Sequence, residues 1–267
     1  MRWPLIWPWR KKPRKIGLAL SGGGARGAAH VGVLKVLERE GIRPDCVVGV
    51  SAGSIVGAGY CAGMSVAEME KIALDLEWSK LGRLVRPRLG FFDSQRLESY
   101  VAELVGDLQF ADLSIPFAAV AADILTCRLV VLKEGSVAWA VRASCALPGI
   151  FTPVERGDQI LIDGGTINNL PVSVVQEMGA DYIIAVDLLP APQDGHPRPQ
   201  NLFEMWSLAF YALLRATHAE GEDADCLIAP DVGSYGTFEF SKMEEMLAKG
   251  VEAAEAKIGQ IKADLGL

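Results

Sequence analysis

The amino-acid sequence predicts an α/β protein, with a three-layer α/β/α fold around a mostly parallel central sheet. Short apolar segments of strand length alternate with segments of helical periodicity along most of the chain. Such alternation is typical of parallel sheets whose strands are joined by helices covering both faces. Half of the 267 residues are hydrophobic, as expected when strands are buried on both sides. We therefore expect a single domain over residues 16–267.

The predicted elements alternate along the chain as this fold requires. Strands are predicted at 16–20, 46–50, 117–122, 128–132, 160–162, 182–187 and 226–228. Helices are predicted at 28–40, 54–62, 66–76, 95–104, 172–178, 202–219 and 242–263. The third and fourth strands are too close in sequence for a crossover helix, so they are predicted to form an antiparallel hairpin. Two irregular segments, 78–93 and 190–199, are long enough to be lids or surface loops, and both interpretations stay open.

The first 15 residues differ in composition from the rest of the chain. They hold six basic residues, no acid, three tryptophans and three prolines. Such a leader is suited to peripheral contact with a membrane surface, although terminal segments are also often disordered. Because the whole chain carries a net charge of −7, the remaining residues carry −13. This acidic body argues against nucleic-acid binding.

The cysteines and the uncharged segments predict a chain without metal, disulfides or membrane spans. The five cysteines are scattered and lack paired spacing, so reduced thiols in the cytoplasm are expected and no metal or cofactor is predicted. Residues 46–67 contain no charge and are long enough to cross a bilayer. They are rich in glycine and serine and lack leucine, however, so a strand, a tight turn and a helix are predicted there instead.

A glycine-rich loop, Gly22-Gly23-Gly24-Ala25-Arg26-Gly27, follows the first predicted strand. Glycines entering a helix present several backbone N–H groups to one point, at the positive end of the helix dipole. The same residues match the G-x-G-x-x-G pattern of dinucleotide-binding proteins, which is the main alternative. That pattern requires an acidic residue at the end of the next strand. Asp45 lies before that strand and Ser51 after it, so the confirming context is missing.

Ser51 lies in a Gly-x-Ser-x-Gly turn, Gly49-Val50-Ser51-Ala52-Gly53, directly after the second predicted strand. A turn of this composition is tight enough to expose one hydroxyl at the edge of the sheet, where it can act as a nucleophile. Serine is also a common helix N-cap. The N-cap explanation leaves the glycines on both sides unexplained, so the sequence favours the nucleophile.

The general base is harder to predict because the chain has only three histidines: His30, His196 and His218. None of them follows a strand end. Asp163 does: it lies at the carboxyl end of a predicted strand, where ligands bind in open α/β sheets, and Gly164 and Gly165 come directly after it. A carboxylate accepts a serine proton well only when burial raises its pKa. Asp-Gly is also frequent in simple turns, so the residues alone leave open whether Asp163 is a general base or a turn residue.

Four motifs follow one another along the chain. They are the glycine loop with its basic Arg26, the Gly49–Gly53 turn, Arg142-Ala143-Ser144-x-x-x-Pro148, and Asp163-Gly164-Gly165 followed by Asn168-Asn169-Leu170-Pro171. Together they resemble the patatin-like phospholipase family, close to its bacterial branch related to the catalytic domain of neuropathy target esterase. The resemblance covers about residues 16–232. Four motifs in this order are far more specific than any one of them.

The resemblance implies a Ser–Asp dyad, in which Ser51 attacks an ester carbonyl and Asp163 takes its proton without a histidine. It also implies an oxyanion hole formed by the backbone of Gly23, Gly24 and their neighbours in the glycine loop. The expected substrate is a phospholipid, a lysophospholipid or another acyl-ester lipid. The expected location is the cytoplasm, with peripheral contact at the inner face of the membrane. A non-catalytic lipid-binding protein is the remaining alternative.

Overall fold

The computed structural model describes residues 14–86, 88–189, 198–216 and 220–267. The basic leader lies almost entirely outside the described residues, and so does most of the proline-rich segment 190–199. The strands are β1 Ile16–Leu20, β2 Cys46–Val50, β3 Arg83–Leu84, β4 Gly90–Asp93, β5 Phe117–Asp123, β6 Arg128–Leu132, β7 Gly149–Phe151, β8 Val154–Arg156, β9 Gln159–Asp163, β10 Tyr182–Val186 and β11 Cys226–Ile228.

Helices connect most of these strands. They are α1 Ala28–Arg39, α2 Ala52–Cys61, α3 Val66–Leu74, α4 Trp78–Leu81, α5 Gln95–Val105, α6 Val137–Ser144, α7 Val172–Glu177, α8 Leu202–Ala216 and α9 Met243–Leu265. In the described part of the chain, no helix is both long and apolar enough to cross a membrane. The uncharged segment 46–67 forms β2, a tight turn and α2, as predicted.

The central sheet has the strand order β11-β10-β1-β2-β5-β9-β8, with β6 paired to β5 as well. The five strands from β11 to β5 are parallel to their neighbours. Strand β6 pairs with β5 in the antiparallel sense, which confirms the predicted hairpin. A separate small sheet consists of β3, β4 and β7. Strands β3 and β4 lie in the segment 78–93 that the sequence left irregular, and β7 was not predicted.

The two faces of the central sheet are buried by different helices. In β1, Leu18 and Leu20 belong to the large core beneath α1 and α9, while Ala19 belongs to the smaller core beneath α7. This alternation is the two-residue period of a strand that is buried on both faces. The three-layer α/β/α prediction is therefore confirmed.

The register of β5 brings two distant chain segments together. Strand β2 pairs with the first half of β5 and ends at Val50 opposite Val120. Strand β9 pairs with the second half and ends with Asp163 opposite Ala121. Because Ala121 follows Val120, the residue after Val50 and the last residue of β9 reach the same level of the sheet. That residue is Ser51.

The direction of β9 corrects one step of the sequence argument. Asp163 was expected at the site because ligands bind beyond the carboxyl ends of parallel strands. Strand β9 is antiparallel to β5, so that rule does not apply to it. Asp163 reaches the site because β9 runs toward the end of β2 along the same edge of β5.

Candidate active site

Ser51 connects β2 to α2 in a strained backbone conformation, with φ 51° and ψ −123°. A non-glycine residue rarely adopts such angles, and it does so mainly where the surrounding structure imposes them. Ser144 supplies part of that restraint: its hydroxyl accepts the Ser51 N–H at 2.9 Å and donates to the Val120 carbonyl at 2.6 Å. The hydroxyl of Ser54 donates to the Ser51 carbonyl at 2.6 Å. The turn is thus held on both sides of the serine.

The glycines of this turn are required by close packing of backbone against backbone. A Cβ at Gly53 would lie 2.6 Å from the Ser21 carbonyl oxygen and even closer to that of Leu20. A Cβ at Gly49 would lie 2.6 Å from the Cα of Ser54. Any side chain at these positions would force β1, β2 and α2 apart.

Asp163 is buried, with only 1% of its surface exposed. Its Oδ1 accepts the N–H of Gly165 at 2.9 Å, whereas Oδ2 has no hydrogen-bond partner among the described residues. Burial raises the pKa of this carboxyl to about 6, against the opposing effects of the Ser51 hydroxyl and the Gly165 N–H. Ser51 is close enough to lower the pKa but does not reach full hydrogen-bond geometry. Catalytic hydrogen bonds are often this loose before substrate binds.

The glycine loop leaves two backbone donors unoccupied. The N–H of Gly22 donates to the Asn169 carbonyl at 3.2 Å, that of Ala25 to Thr237 at 2.8 Å and that of Arg26 to Gly23 at 3.3 Å. The N–H groups of Gly23 and Gly24 have no partner within the described ranges. Both residues line the same pocket as Ser51. These two amides are the donors available to a negative charge on a bound group.

Three features fix the conformation of the loop. Gly24 has φ +61°, and a Cβ there would overlap the Thr237 carbonyl. The Arg26 guanidinium donates twice to the Tyr235 carbonyl, at 2.9 and 2.7 Å. His30, fully buried on α1, donates its Nε2 proton to the Ser21 carbonyl at 2.8 Å. Burial lowers the pKa of His30 to about 4, so it is neutral and acts as a fixed donor.

The rest of the pocket is apolar. An inner pocket of about 110 Å³ surrounds Ser51 and Asp163. Trp78 packs against four phenylalanine rings at its outer side, with centroid distances from 5.0 to 6.0 Å. The large apolar side chains that line the pocket are Ile55, Leu76, Trp78, Leu81, Leu97, Leu147, Phe151, Leu188, Leu189, Trp206, Phe210, Leu214, Phe238 and Phe240. Such a lining is suited to a hydrocarbon chain.

The structure divides the predicted site residues into two groups. Those that line the pocket are Gly22, Gly23, Gly24, Arg26, Ser51, Ala52 and Asp163. Those buried behind it, where they shape the turns, are Ala25, Gly27, Gly49, Val50, Gly53, Gly164 and Gly165. His196 and His218 lie outside the described residues, and His30 lies beneath the loop rather than beside Ser51.

Three further residues support the site in ways that the sequence did not predict: His30, Ser144 and Asn169. Ser144 belongs to one of the four motifs, but its hydrogen bond to Ser51 joins residues 93 positions apart. Asn169 is buried and lines the pocket, and its Nδ2 has no partner in the described part of the chain. No pattern of spacing in the sequence marks such long-range contacts.

Three alternatives find less support at this pocket: a thiol nucleophile, a metal site and a dinucleotide site. Cys145 also lines it, but burial and the nearby Asp163 raise the pKa of its thiol, so the reactive thiolate is disfavoured. Across the described ranges, no three histidine, cysteine or acidic side chains are grouped as metal ligands. For a dinucleotide, the acidic residue expected after β2 is replaced by Ser51.

The fold and the pocket define a class of α/β protein in which a serine on a tight strand–helix turn meets a buried carboxylate beside a glycine loop. Comparison with known proteins agrees: the family model for patatin-like phospholipases matches residues 18–175. The chain belongs to the patatin-like phospholipase family.

Its relatives include proteins of the neuropathy target esterase group. The chain is 37% identical to neuropathy target esterase sws of Drosophila melanogaster over 65% of its length and 13% of the relative. It is 31% identical to an NTE family protein of Mycobacterium tuberculosis over 94% of its length and 48% of the relative. It is also 31% identical to lysophospholipase nte1 of Aspergillus fumigatus, over 94% of its length and 18% of the relative. The chain thus spans less than half of these relatives.

Solved structures with the same fold confirm the architecture. VipD from Legionella pneumophila superposes with a TM-score of 0.58, at 16% identity, over 93% of this chain and 67% of VipD. The type III effector ExoU superposes with a TM-score of 0.51, at 14% identity, over 93% of this chain and 53% of ExoU. At such low identity these likenesses concern the fold alone.

Proposed function

We propose that this protein hydrolyses ester bonds of lipids through an acyl-enzyme intermediate on Ser51. The observation that carries the proposal is the meeting of Ser51, the buried Asp163 and two unoccupied backbone donors in one apolar pocket. A nucleophile, a base of raised pKa and donors for an oxyanion are the parts that acyl transfer requires. The names of the relatives, an esterase and a lysophospholipase, support the same reaction class.

In the first step, Ser51 Oγ attacks the ester carbonyl and its proton passes to Asp163. The negative charge that forms on the carbonyl oxygen is stabilised by the N–H groups of Gly23 and Gly24. The ester bond then breaks, and the departing alcohol takes the proton from Asp163. The acyl group stays on Ser51, with its chain against the apolar lining.

In the second step, water attacks the acyl-serine ester and gives a proton to Asp163. The same two amides stabilise the second oxyanion. Collapse of this intermediate releases the fatty acid, and Ser51 recovers its proton from Asp163. One carboxyl therefore acts as base and acid in turn, which is efficient when its pKa is close to the working pH.

The burial of Asp163 explains how a carboxyl serves without a histidine. An aspartate with an ordinary pKa of about 3.9 is a weak base for a serine hydroxyl. Removal from water raises the pKa of Asp163 to about 6, which makes it a stronger base while it remains mostly ionised at neutral pH. The missing partner at Oδ2 leaves that oxygen available for the proton.

The substrate proposed is a phospholipid or lysophospholipid at the surface of a membrane. The proposed location is the cytoplasm, with the protein attached at the inner face of the membrane. The basic, tryptophan-rich leader supports this attachment through its composition. Removal of residues 1–14 is expected to weaken sedimentation with anionic vesicles, and unchanged sedimentation would count against a role for the leader.

The direct test is release of fatty acid from lysophosphatidylcholine by the purified protein, compared with its Ser51→Ala variant. We expect release by the wild type and none above background by the variant, with both proteins folded by circular dichroism. Release at the same rate by both would exclude Ser51 as the nucleophile. Vesicle binding without any release would favour the non-catalytic lipid-binding alternative.

A further inference from the structure

An open apolar groove adjoins the catalytic pocket at its outer side. It lies between the small β3–β4–β7 sheet and the start of α8, and has a volume of about 640 Å³. Trp78, Trp206, Phe238 and Phe240 line both the groove and the inner pocket. The inner pocket is smaller than the usual 300–1,000 Å³ of ligand sites, whereas the groove lies within that range.

The rim of the groove exposes large apolar side chains to solvent. Leu84 is 70% exposed, Phe91 46% and Leu202 79%, and all three line the groove. Leu89, just before β4, is 57% exposed, and Met205 on α8 is 54% exposed. Large apolar patches of this kind mark interaction surfaces.

The same rim is basic. Arg86 and Arg88, between β3 and β4, are exposed and form no ion pair in the described part of the chain. Arg83 contacts Asp93 only at 3.6 Å. The acid nearest to Leu202 in sequence, Glu204, accepts hydrogen bonds from Gln200 and Asn201. Cationic side chains around exposed leucines complement an anionic lipid surface more closely than a protein or a second acidic copy of this chain.

We propose that this rim docks on an anionic phospholipid bilayer, so that an acyl chain passes from the bilayer through the groove to Ser51. The proposal rests on the lipid hydrolase function above. It assigns membrane contact to the folded domain itself, at the edge where β2 ends, independently of the leader.

The opposite edge of the molecule offers matched controls. The end of α9 lies at the start of β10, where Tyr182 donates to Asp264 at 3.0 Å. Leu267, next to that end, is 72% exposed, and Arg43, just before β2, is exposed as well. These residues match Leu84 and Arg86 in type and exposure but face away from the groove.

The test measures sedimentation of the full chain with vesicles of phosphatidylcholine and phosphatidylglycerol, in the Ser51→Ala background to prevent turnover. We expect the Leu84→Asp change to weaken binding about tenfold and the Arg86→Glu change at least about fivefold. Leu267→Asp and Arg43→Glu are expected to leave it unchanged. High salt is expected to abolish the effect of Arg86→Glu.

The same variants are also assayed with Ser51 intact on a short soluble ester. This assay distinguishes failure of the docking proposal from failure of the proposed hydrolase function. We expect Leu84→Asp to retain the soluble activity while losing activity on vesicle lipids. Equal vesicle binding by Leu84→Asp and Leu267→Asp would overturn the docking surface, even with the esterase intact. A change in oligomeric state rather than in vesicle binding would assign the groove to a second copy and also overturn it.

Discussion

The two walls of the pocket are built in opposite ways. The polar wall consists of Gly23, Gly24, Ser51 and Asp163, held by backbone hydrogen bonds and by turns with no room for a side chain. The aromatic wall consists of Trp78, Phe151, Phe238 and Phe240, with Phe92 packed against Trp78 outside the inner pocket. Ring contacts between four separate parts of the chain hold it together.

This difference separates chemistry from substrate binding. Atoms of the polar wall must be placed to within a few tenths of an ångström of the reacting ester. The aromatic wall contributes in proportion to the apolar area that it covers. Changes in the polar wall should therefore reduce the rate for every ester, whereas changes in the aromatic wall should matter more as the acyl chain lengthens.

The largest effect is expected from Asp163→Asn, which keeps the shape of the side chain but removes the proposed base. We expect turnover to fall at least about a thousandfold for short and long esters alike. The measurement is the steady-state rate of p-nitrophenyl ester hydrolysis. A residual rate within tenfold of the wild type would show that Asp163 is not the base.

The same variant should be more stable than the wild type at neutral pH. The pKa of Asp163 is raised to about 6 in the folded state, so the unfolded chain loses this proton at lower pH. The free energy of unfolding of the wild type therefore falls by up to about 3 kcal/mol as the pH rises from about 4 through about 6. Asparagine avoids this loss, so the gain in urea unfolding should appear near pH 8 and vanish near pH 4.

The next largest effect is expected from Gly24→Ala. The new Cβ would overlap the Thr237 carbonyl and displace the Gly24 N–H, which costs about a hundredfold in turnover for a lost oxyanion donor. Gly41→Ala is the matched control, since Gly41 has φ +73° with nothing within 4 Å. Both variants should lose about 1 kcal/mol of stability from backbone strain, and Gly24→Ala should lose more because its Cβ also overlaps the Thr237 carbonyl. Only Gly24→Ala should lose activity, and equal activities would contradict the donor role.

The pH dependence should follow the ionisation of Asp163. Because the carboxyl must be ionised to accept the Ser51 proton, kcat/KM should fall about tenfold per pH unit below about pH 6 and level off above it. The neutral His30, with a pKa of about 4, adds no step near pH 6. A midpoint below pH 5 would show that Asp163 is not desolvated in the working enzyme.

The smallest effect is expected from Phe240→Ala in the aromatic wall. Loss of apolar contact area should lower kcat/KM about tenfold for a long-chain p-nitrophenyl ester and less than twofold for p-nitrophenyl acetate. An equal loss for both esters would show that the two walls are not separable. The comparison uses one protein preparation with two substrates, so a folding defect affects both rates together.

The polar wall was largely predictable from sequence, and the aromatic wall was not. Gly24 and Ser51 lie in short contiguous motifs because turns of that shape tolerate few residue types. The aromatic wall depends on packing between distant segments, and Trp78 and Phe92 lie where no regular structure was predicted. Helix α6 was also missed, although its Ser144 is what holds the Ser51 N–H.

The position of Asp163 was only partly predictable, because it depends on how two strands pair with β5. The sequence identified Asp163 as a candidate, but it placed β9 by a rule for parallel strands. The structure shows an antiparallel β9 that reaches the end of β2 along a shared neighbour. Pairing of two strands with opposite halves of a third is a tertiary property, which no local pattern encodes.

The most direct test of the central claim is fluorophosphonate labelling followed by peptide mapping of the modified residue. The reagent reacts only with a serine that is activated by a base and faces oxyanion donors. We expect modification of Ser51 in the wild type and at least a hundredfold slower labelling in Asp163→Asn. Label on another serine, or labelling of Asp163→Asn at the wild-type rate, would contradict it.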